Sequence, residues 1–442
     1  MGIPGLTSFI RNRSEFFQDV FLCNCKLLID GNSLYYTLYF SSGIDIVHGG
    51  DYARFADIVR EFFTALQACH VSPFVVFDGM CDKDNKKLAT LKRRKCQRIL
   101  EAHSLSGGGH GYILPILAGE VFIQTTMSLR VPMAWAEVEA DPELAALAKQ
   151  WNCPVLSQDS DFFIFNIPGG VCAFDDLPWH TLCVKPSSGQ RYICHLHRKF
   201  FLKTPRLLSI LAVLLGNDYL DPEFLQPFMS AITQTVKRGP VTRHLQIEIL
   251  IRWLSTFNDE RDALSAAMQY IMVSKRGVQE QKLLDIAQVC STQLRDIIDV
   301  KLSLVFMQVD SRYNLFLTLM GCFAEDLADL PMDLQLAAAA TKHWLNHAVA
   351  PKPRPWHLHA LLLGFVYGNL TASISAGKPP DTGRNLKNCI VKALMKLSNE
   401  NVMRRPEEVT SHVCNQWFSC LLMAIHLNKI LGYPLQDPPL ER

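Results

Sequence analysis

Short apolar runs that close on an acid alternate with helically spaced apolar positions through the first half of the chain. Leu27-Leu28-Ile29 ends at Asp30, and Phe74-Val75-Val76-Phe77 ends at Asp78, each acid followed by glycine. Pro154-Val155-Leu156 runs into Ser157-Gln158-Asp159-Ser160-Asp161. These runs predict buried strands, with further strands over residues 130–135 and 171–174. Phe55, Ile58, Phe62 and Leu66 recur at helical spacing and predict a helix over residues 52–68. Residues 4–17 and 33–40 read as helices too. Strands alternating with helices predict a parallel sheet with right-handed crossovers. From about residue 205 the texture changes, and helices are predicted over 247–257, 283–307, 334–348, 356–370 and 413–431. Pro- and Gly-containing breaks at 351–355 and 377–384 punctuate them. The expected architecture is an α/β parallel twisted sheet flanked by helices, followed by a mostly α-helical C-terminal region.

Composition narrows this only slightly. A chain of 442 residues with 49% hydrophobic content can bury a large core, over about two or three domains. The net charge is +2, from 44 basic and 42 acidic residues, so a nucleic-acid partner would need a local basic patch. The 14 cysteines include no Cys-x-x-Cys pair, and Cys194-His195-Leu196-His197 lacks a second ligand pair for zinc. Reduced thiols in a cytosolic or nuclear protein are the expectation. No apolar run reaches membrane-span length, the N-terminus has no signal-peptide core, and Leu6 stands where a myristoylation motif wants Ser or Thr.

The acids change the picture most. Asp30, Asp78, Glu139, Asp141, Asp159, Asp161 and Asp218 stand where strand-like runs end or helices begin. An apolar strand ending in a carboxylate aims it at the C-terminal edge of a parallel sheet, where open α/β folds place their sites. Carboxylates ~5 Å apart repel by roughly 3 kcal/mol per pair at an effective dielectric near 20. Bound divalent metal resolves that repulsion, and hard oxygen ligands select Mg²⁺ or Mn²⁺. Two such ions can activate water and steady the leaving oxygen of a phosphodiester without a nucleophilic side chain. Taken singly, each Asp would equally pass as a helix N-cap or turn former. A phosphatase with Asp-x-Asp after its first strand is not supported, because Gly31-Asn32 follows Asp30. No Gly-x-Ser-x-Gly elbow for Ser-His-Asp catalysis is present either.

The order and spacing of these blocks resemble the flap-endonuclease/XPG superfamily of PIN-like, structure-specific nucleases. Met1-Gly2-Ile3-Pro4-Gly5-Leu6 looks like its N-terminal signature. Leu28-Ile29-Asp30-Gly31, Val76-Phe77-Asp78-Gly79, Glu139-Ala140-Asp141, Asp159-Ser160-Asp161 and Leu215-Gly216-Asn217-Asp218-Tyr219 look like its successive metal-binding blocks. Within the superfamily the chain is most similar to the asteroid branch, through Gly49-Gly50-Asp51-Tyr52, Trp151-Asn152-Cys153-Pro154-Val155-Leu156-Ser157 and Cys414-Asn415-Gln416-Trp417. The resemblance implies a nuclease domain over about residues 1–225, with a helical arch over 80–128, and an asteroid-type helical region over 226–442. It places the seven acids at the family's catalytic, metal-binding positions, for two Mg²⁺ ions with Mn²⁺ as a substitute. Glu137 and Glu143 alternate close to Glu139, and Asp141 has an arm one methylene shorter than Glu.

Between the second and third blocks, Lys86, Lys87, Lys92, Arg93, Arg94, Lys95 and Arg98 would give a helix a basic face. That run is either a solvated helix or, as the resemblance implies, the gateway that steers phosphates to the metals. Lys92 and Arg93 fit the family's key gateway base equally. The resemblance also assigns nucleic-acid contact to Gly2 and base stacking to Tyr36, six residues after Asp30. One departure matters: past Asp218 no glycine appears until Gly239, so the family's duplex-gripping Gly-x-Gly turn is missing. Single strands or overhangs therefore become the expected DNA substrate, in a nuclear, repair-linked endonuclease with no sliding-clamp motif. Partner proteins would dock through the helical half. Two rival readings stay open: a nuclease-fold scaffold or signalling adaptor that binds without cutting, and a PIN-like ribonuclease.

Overall fold

The computed structural model describes residues 3–45, 50–79, 88–181, 191–193, 199–216, 222–234, 242–274, 309–375 and 407–441. The helix expected over 283–307, the break at 377–384 and the Cys194-His195-Leu196-His197 stretch lie outside the described residues. The chain forms two compact units, one of residues 1–38, 60–95 and 127–299, the other of 39–59, 96–126 and 300–442.

Among the described residues, the first unit is built on seven strands: β1 (Phe17–Asp19), β2 (Lys26–Asp30), β3 (Ser72–Phe77), β4 (Met133–Trp135), β5 (Val155–Leu156), β6 (Val171–Cys172) and β7 (Arg191–Ile193). Their order is β1-β7-β6-β5-β2-β3-β4. The five strands from β6 to β4 are parallel, and the strand β2 at their centre is buried from Leu27 to Asp30. Leu28 faces Phe74 and Val155 in register, so three of the expected strands share the same buried row. Burial on both faces is why these segments read as continuous apolar runs. Helix α6 (Ala140–Trp151) packs on β2, β3 and β5 through Leu144, Ala145 and Ala148. Helix Arg206–Leu215, apolar almost throughout, packs against Arg243–Leu254 and Glu260–Ser274 in the same core.

The structure corrects the N-terminal helix. Helix α1 covers only Leu6–Arg11, followed by a 3₁₀ turn at Ser14–Phe16 and then β1, which pairs antiparallel with β7. Phe9 and Phe16 keep helical spacing in sequence. Phe16 nevertheless buries its ring edge-on against Phe200, centroids 4.9 Å apart, a contact that only the tertiary fold supplies. The third expected strand is also shorter. Arg130 adopts a left-handed conformation (φ 55°), so regular pairing begins at Met133.

Helix α2 (Gly31–Ser41) leaves β2 directly, and α3 (Tyr52–Ala68) occupies the span expected from its periodicity. Helices α4 (Leu88–Ser106) and α5 (Ala118–Ser128) follow. In the second unit, helices Met332–His347 and Glu408–Ile430 pack lengthwise, and the Trp417 indole N–H donates to Thr341 Oγ1 at 2.9 Å. Glu120, 7% exposed, accepts from Lys429 and His426 there. Burial alone would push its carboxyl up, but those hydrogen bonds hold it below the usual range. Among the described residues, no helix is long and apolar enough to cross a membrane.

Candidate metal centre

Each carboxylate arrives at the C-terminal edge of the sheet by a different local device. Asp30 is the last residue of β2 and is 6% exposed. Its Oδ1 accepts the Ser33 backbone N–H at 3.0 Å, capping α2, and its Oδ2 accepts the Ser157 hydroxyl at 2.8 Å. Asp78 follows β3, accepting from Asn32 Nδ2 at 3.0 Å and from the Ala140 N–H at 2.9 Å. The Asp78 carboxylate thus caps the N-terminus of α6 from a neighbouring strand, where an anion is favoured. Glu139 occupies the extended N-cap position of α6 without capping it by its own side chain, and Asp141 sits in the first turn. Asp159 caps the 3₁₀ turn Ser160–Phe163, its Oδ1 accepting the Asp161 N–H at 3.1 Å.

Asp141, Asp159 and Asp161 converge, with one carboxylate oxygen from each within 4.8 Å of the others. Side chains two residues apart in extended chain point to one side, which would align Asp159 with Asp161. The 3₁₀ turn aligns them instead, because the Asp159 carboxylate takes the Asp161 amide and folds the chain over it. Withdrawal from water, then the charges of Asp30, Asp159, Asp161 and Asp78, hold the Asp141 carboxyl well above the usual range. Burial pushes Asp30 up to about 6, with the charges of Asp78 and Asp159 adding to it, even though Ser33 and Ser157 pull it down. The charges of four neighbouring aspartates thus bear on Asp141. Such a donor set, all hard oxygen and self-repelling, fits a divalent cation of the Mg²⁺ or Mn²⁺ type.

The other expected residues distribute as follows. Glu139 is half-buried at the mouth of α6 and is not one of the converging trio. Glu143 Oε1 accepts the Glu137 N–H at 3.1 Å, which occupies it on the loop backbone. Tyr36 is 44% exposed on α2, whereas Tyr39 is fully buried against Phe55. Lys92, Arg93, Lys95 and Arg98 are exposed along α4, and Arg94 is half-buried. Gly2, Lys86, Lys87 and Asp218 lie outside the described residues.

Sequence reasoning passed over the residues that brace the carboxylates. Ser157 donates its hydroxyl proton to Asp30 while its oxygen accepts the Asp159 N–H at 3.0 Å. Ser33 donates its N–H to Asp30 while its Oγ accepts the Gln158 N–H at 3.0 Å. Two serines thus tie the end of β2 to the turn carrying Asp159. Arg11 braces the same turn, pairing with Asp175 at 2.7 Å and reaching Gln158 at 3.4 Å. The available signal was position: Ser33 and Ser157 lie within three residues of an acid at a strand end, where side-chain-to-backbone hydrogen bonds concentrate.

No protein-family model matches the chain. Among solved structures it is similar to the catalytic core of Rad2 in complex with DNA substrate, at 13% identity and a TM-score of 0.39, over 72% of this chain and 95% of that one. It is likewise similar to human GEN1 in complex with Holliday junction DNA, at 14% identity and a TM-score of 0.35, over 80% of this chain and 81% of that one. Among sequences it is 31% identical over 577 residues to the single-strand DNA endonuclease ASTE1 of Homo sapiens, covering 100% of this chain and 84% of that protein. The Danio rerio counterpart is 30% identical, over 99% of this chain and 79% of that protein. Protein asteroid of Drosophila melanogaster is 38% identical over 169 residues, 38% of this chain and 20% of that protein. With the expected α/β parallel sheet, flanking helices and helical C-terminal region in place, and identity of this level over its whole length, the chain belongs to the asteroid family.

Proposed function

We propose that this protein is a divalent-metal-dependent endonuclease that hydrolyses phosphodiester bonds in single-stranded or overhanging DNA, within DNA repair in the nucleus. The convergence of Asp141, Asp159 and Asp161, with Asp30 and Asp78 close enough to raise the Asp141 carboxyl, carries this reading. The name of the full-length relatives, single-strand DNA endonuclease, supports the substrate class.

In this reading Asp30, Asp78, Asp141, Asp159 and Asp161 hold two Mg²⁺ ions, and Glu139 and Asp218 complete the set as the family resemblance implies. The metal supplies Lewis-acid stabilisation of phosphate charge and a water acidic enough to attack at neutral pH. The chain's own contribution is placement. Ser33 and Ser157 fix the Asp30 carboxylate, Asn32 fixes Asp78, and the 3₁₀ turn fixes Asp159 against Asp161. The exposed bases of α4 and the half-exposed Tyr36 receive the phosphate backbone and a base.

The deciding experiment is cleavage of labelled single-stranded, 3′-overhang, 5′-flap and blunt duplex DNA, with a matched RNA strand, in Mg²⁺ or Mn²⁺. Cutting of single strands and overhangs by wild type, lost in Asp159→Ala/Asp161→Ala, is the expected result. A folded wild type that cuts none of them refutes the proposal, and preference for RNA reassigns the substrate. Bracing has its own test. Ser157→Ala is expected to weaken metal binding, followed by calorimetric titration, about 10- to 100-fold. Ser157→Thr, which keeps the hydroxyl, should recover most of it.

A further inference from the structure

Trp135 ends β4, which among the described residues is one of the two edge strands of the sheet, and is 53% exposed. Its indole lies nearly parallel to the Phe77 ring, centroids 5.3 Å apart and planes inclined by 23°. Phe77 is its register partner across β3 and is itself 3% exposed. The Phe77 ring in turn presses on the Gly31 backbone, where an added Cβ would stand 2.6 Å from Phe77 Cε1 and 2.9 Å from Val75 Cγ1. The three layers follow the carboxylate edge. Gly31 follows Asp30, Phe77 precedes Asp78, and Trp135 opens the loop that reaches Glu139 and Asp141.

An edge-strand tryptophan usually earns its place by burying its ring, yet this one leaves half its surface in water. The layer beneath fixes its plane and tilt, so little side-chain freedom remains to be lost when a second flat ring arrives. The partner such a surface fits is a planar aromatic group with a free face. A nucleobase in a duplex has both faces occupied by its neighbours; a base in a single strand does not.

We infer that Trp135, supported by Phe77, is a stacking platform for an unpaired base of the DNA strand engaged at the carboxylate edge, and that it selects single strands over duplex. This rests on the nucleic-acid reading of the site but not on cleavage, because stacking needs no metal.

The test is binding in EDTA, where nothing is cut, of a labelled single-stranded oligonucleotide and a blunt duplex of the same sequence. Trp135→Ala is expected to weaken single-strand binding about 5- to 150-fold, the span of 1–3 kcal/mol for one stacked base. Trp135→Leu keeps Phe77 covered by an apolar group but offers no π-face. It should melt like wild type and still bind single strands weakly, whereas Trp135→Phe should bind well. Duplex binding should not change in any variant. Tryptophan fluorescence should be quenched by single strands in wild type, and less so in Trp135→Phe. Wild-type affinity in Trp135→Leu would show that the indole only shields Phe77, and would overturn the inference. Undetectable single-strand binding by wild type would overturn it as well. A wild type that binds through Trp135 yet never cuts refutes the nuclease reading alone. One that cuts normally, with Trp135→Leu cutting and binding equally well, refutes this inference alone.

Discussion

The Asp159→Asn/Asp161→Asn protein is expected to melt higher than wild type in EDTA, to lose the stabilisation that Mg²⁺ gives wild type, and to cut DNA at least about 10³-fold more slowly. All three effects share one cause. Three carboxylates meet within 4.8 Å, and the charges of Asp159 and Asp161 help raise the Asp141 carboxyl. Removing two charges relieves roughly 3 kcal/mol of repulsion per pair at an effective dielectric near 20, less whatever solvent screens. Asparagine keeps Oδ1, so the cap on the Asp161 amide survives and the turn should hold. Wild type, by contrast, should gain about 2.7 kcal/mol from metal at a hundredfold excess over its dissociation constant. That is a melting shift of several degrees, roughly 2–4 °C per kcal/mol for a domain of this size. The rate loss would follow from losing the several kcal/mol of transition-state stabilisation that bound metal would contribute, each 1.36 kcal/mol being about tenfold.

The sign of the pH dependence follows from the same carboxylates. Asp30 is pushed up to about 6 from an ordinary 3.8, so the folded state takes up protons before the unfolded chain does. In EDTA, the contribution of Asp30 to stability should therefore be complete below the ordinary carboxyl range and be lost as pH rises through about 6. The double variant should show a shallower slope, because the charge of Asp159, one of the causes of the Asp30 shift, is gone. Melting curves from pH 4.5 to 7.5, with EDTA or Mg²⁺, check all of this. Equal slopes in the two proteins would mean that the acids do not share a site.

Gly79→Ala is expected to be nearly as damaging, although it touches no carboxylate. A Cβ at that position would stand 1.9 Å from the Ala136 carbonyl oxygen and 2.5 Å from that of Glu137. Both are main-chain atoms and cannot swing aside. The Gly79 N–H also donates to the Val138 carbonyl at 2.8 Å, so the strand-end loop is strapped to the residue after Asp78. Overpacking of this kind costs about 1–3 kcal/mol, sometimes more. The displaced loop carries Glu139 into α6, and an error of about 1 Å in a reacting geometry can cost 10²-fold in rate. Thermal melts and single-turnover cleavage should thus both fall, with added Mn²⁺ unable to restore the rate. Wild-type melting and rate in Gly79→Ala would show that the loop has room to move.

The strands at the centre of the sheet were legible because burial on both faces leaves a one-dimensional record. Leu27, Leu28, Ile29, Val75 and Val76 are apolar in unbroken runs, and each run stops at the C-terminal edge of the sheet with an acid. Helix α3 was legible for the same reason at a different period, since Phe55, Ile58, Phe62 and Leu66 all face the interior. Strand β1 was not. Three residues with a half-exposed pattern carry no periodic signal, and their partner β7 lies about 170 residues away in sequence.

For the site, the sequence by itself determined which side chains stand at strand ends and helix starts, because that placement follows from local burial and capping preferences. It therefore supplied Asp30, Asp78, Glu139, Asp141, Asp159, Asp161 and Asp218 as candidates, the last of them outside the described residues. Only the tertiary structure decided that Asp141, Asp159 and Asp161 meet while Glu139 stands at the mouth of α6. It also decided that Ser33 and Ser157 lock one strand end to another, and that Trp135 lies flat on Phe77 at the same edge. The physical reason is range. Capping and strand burial act over a few residues, whereas carboxylate repulsion, ring stacking and cross-strand hydrogen bonds act between segments that nothing in the linear order brings together.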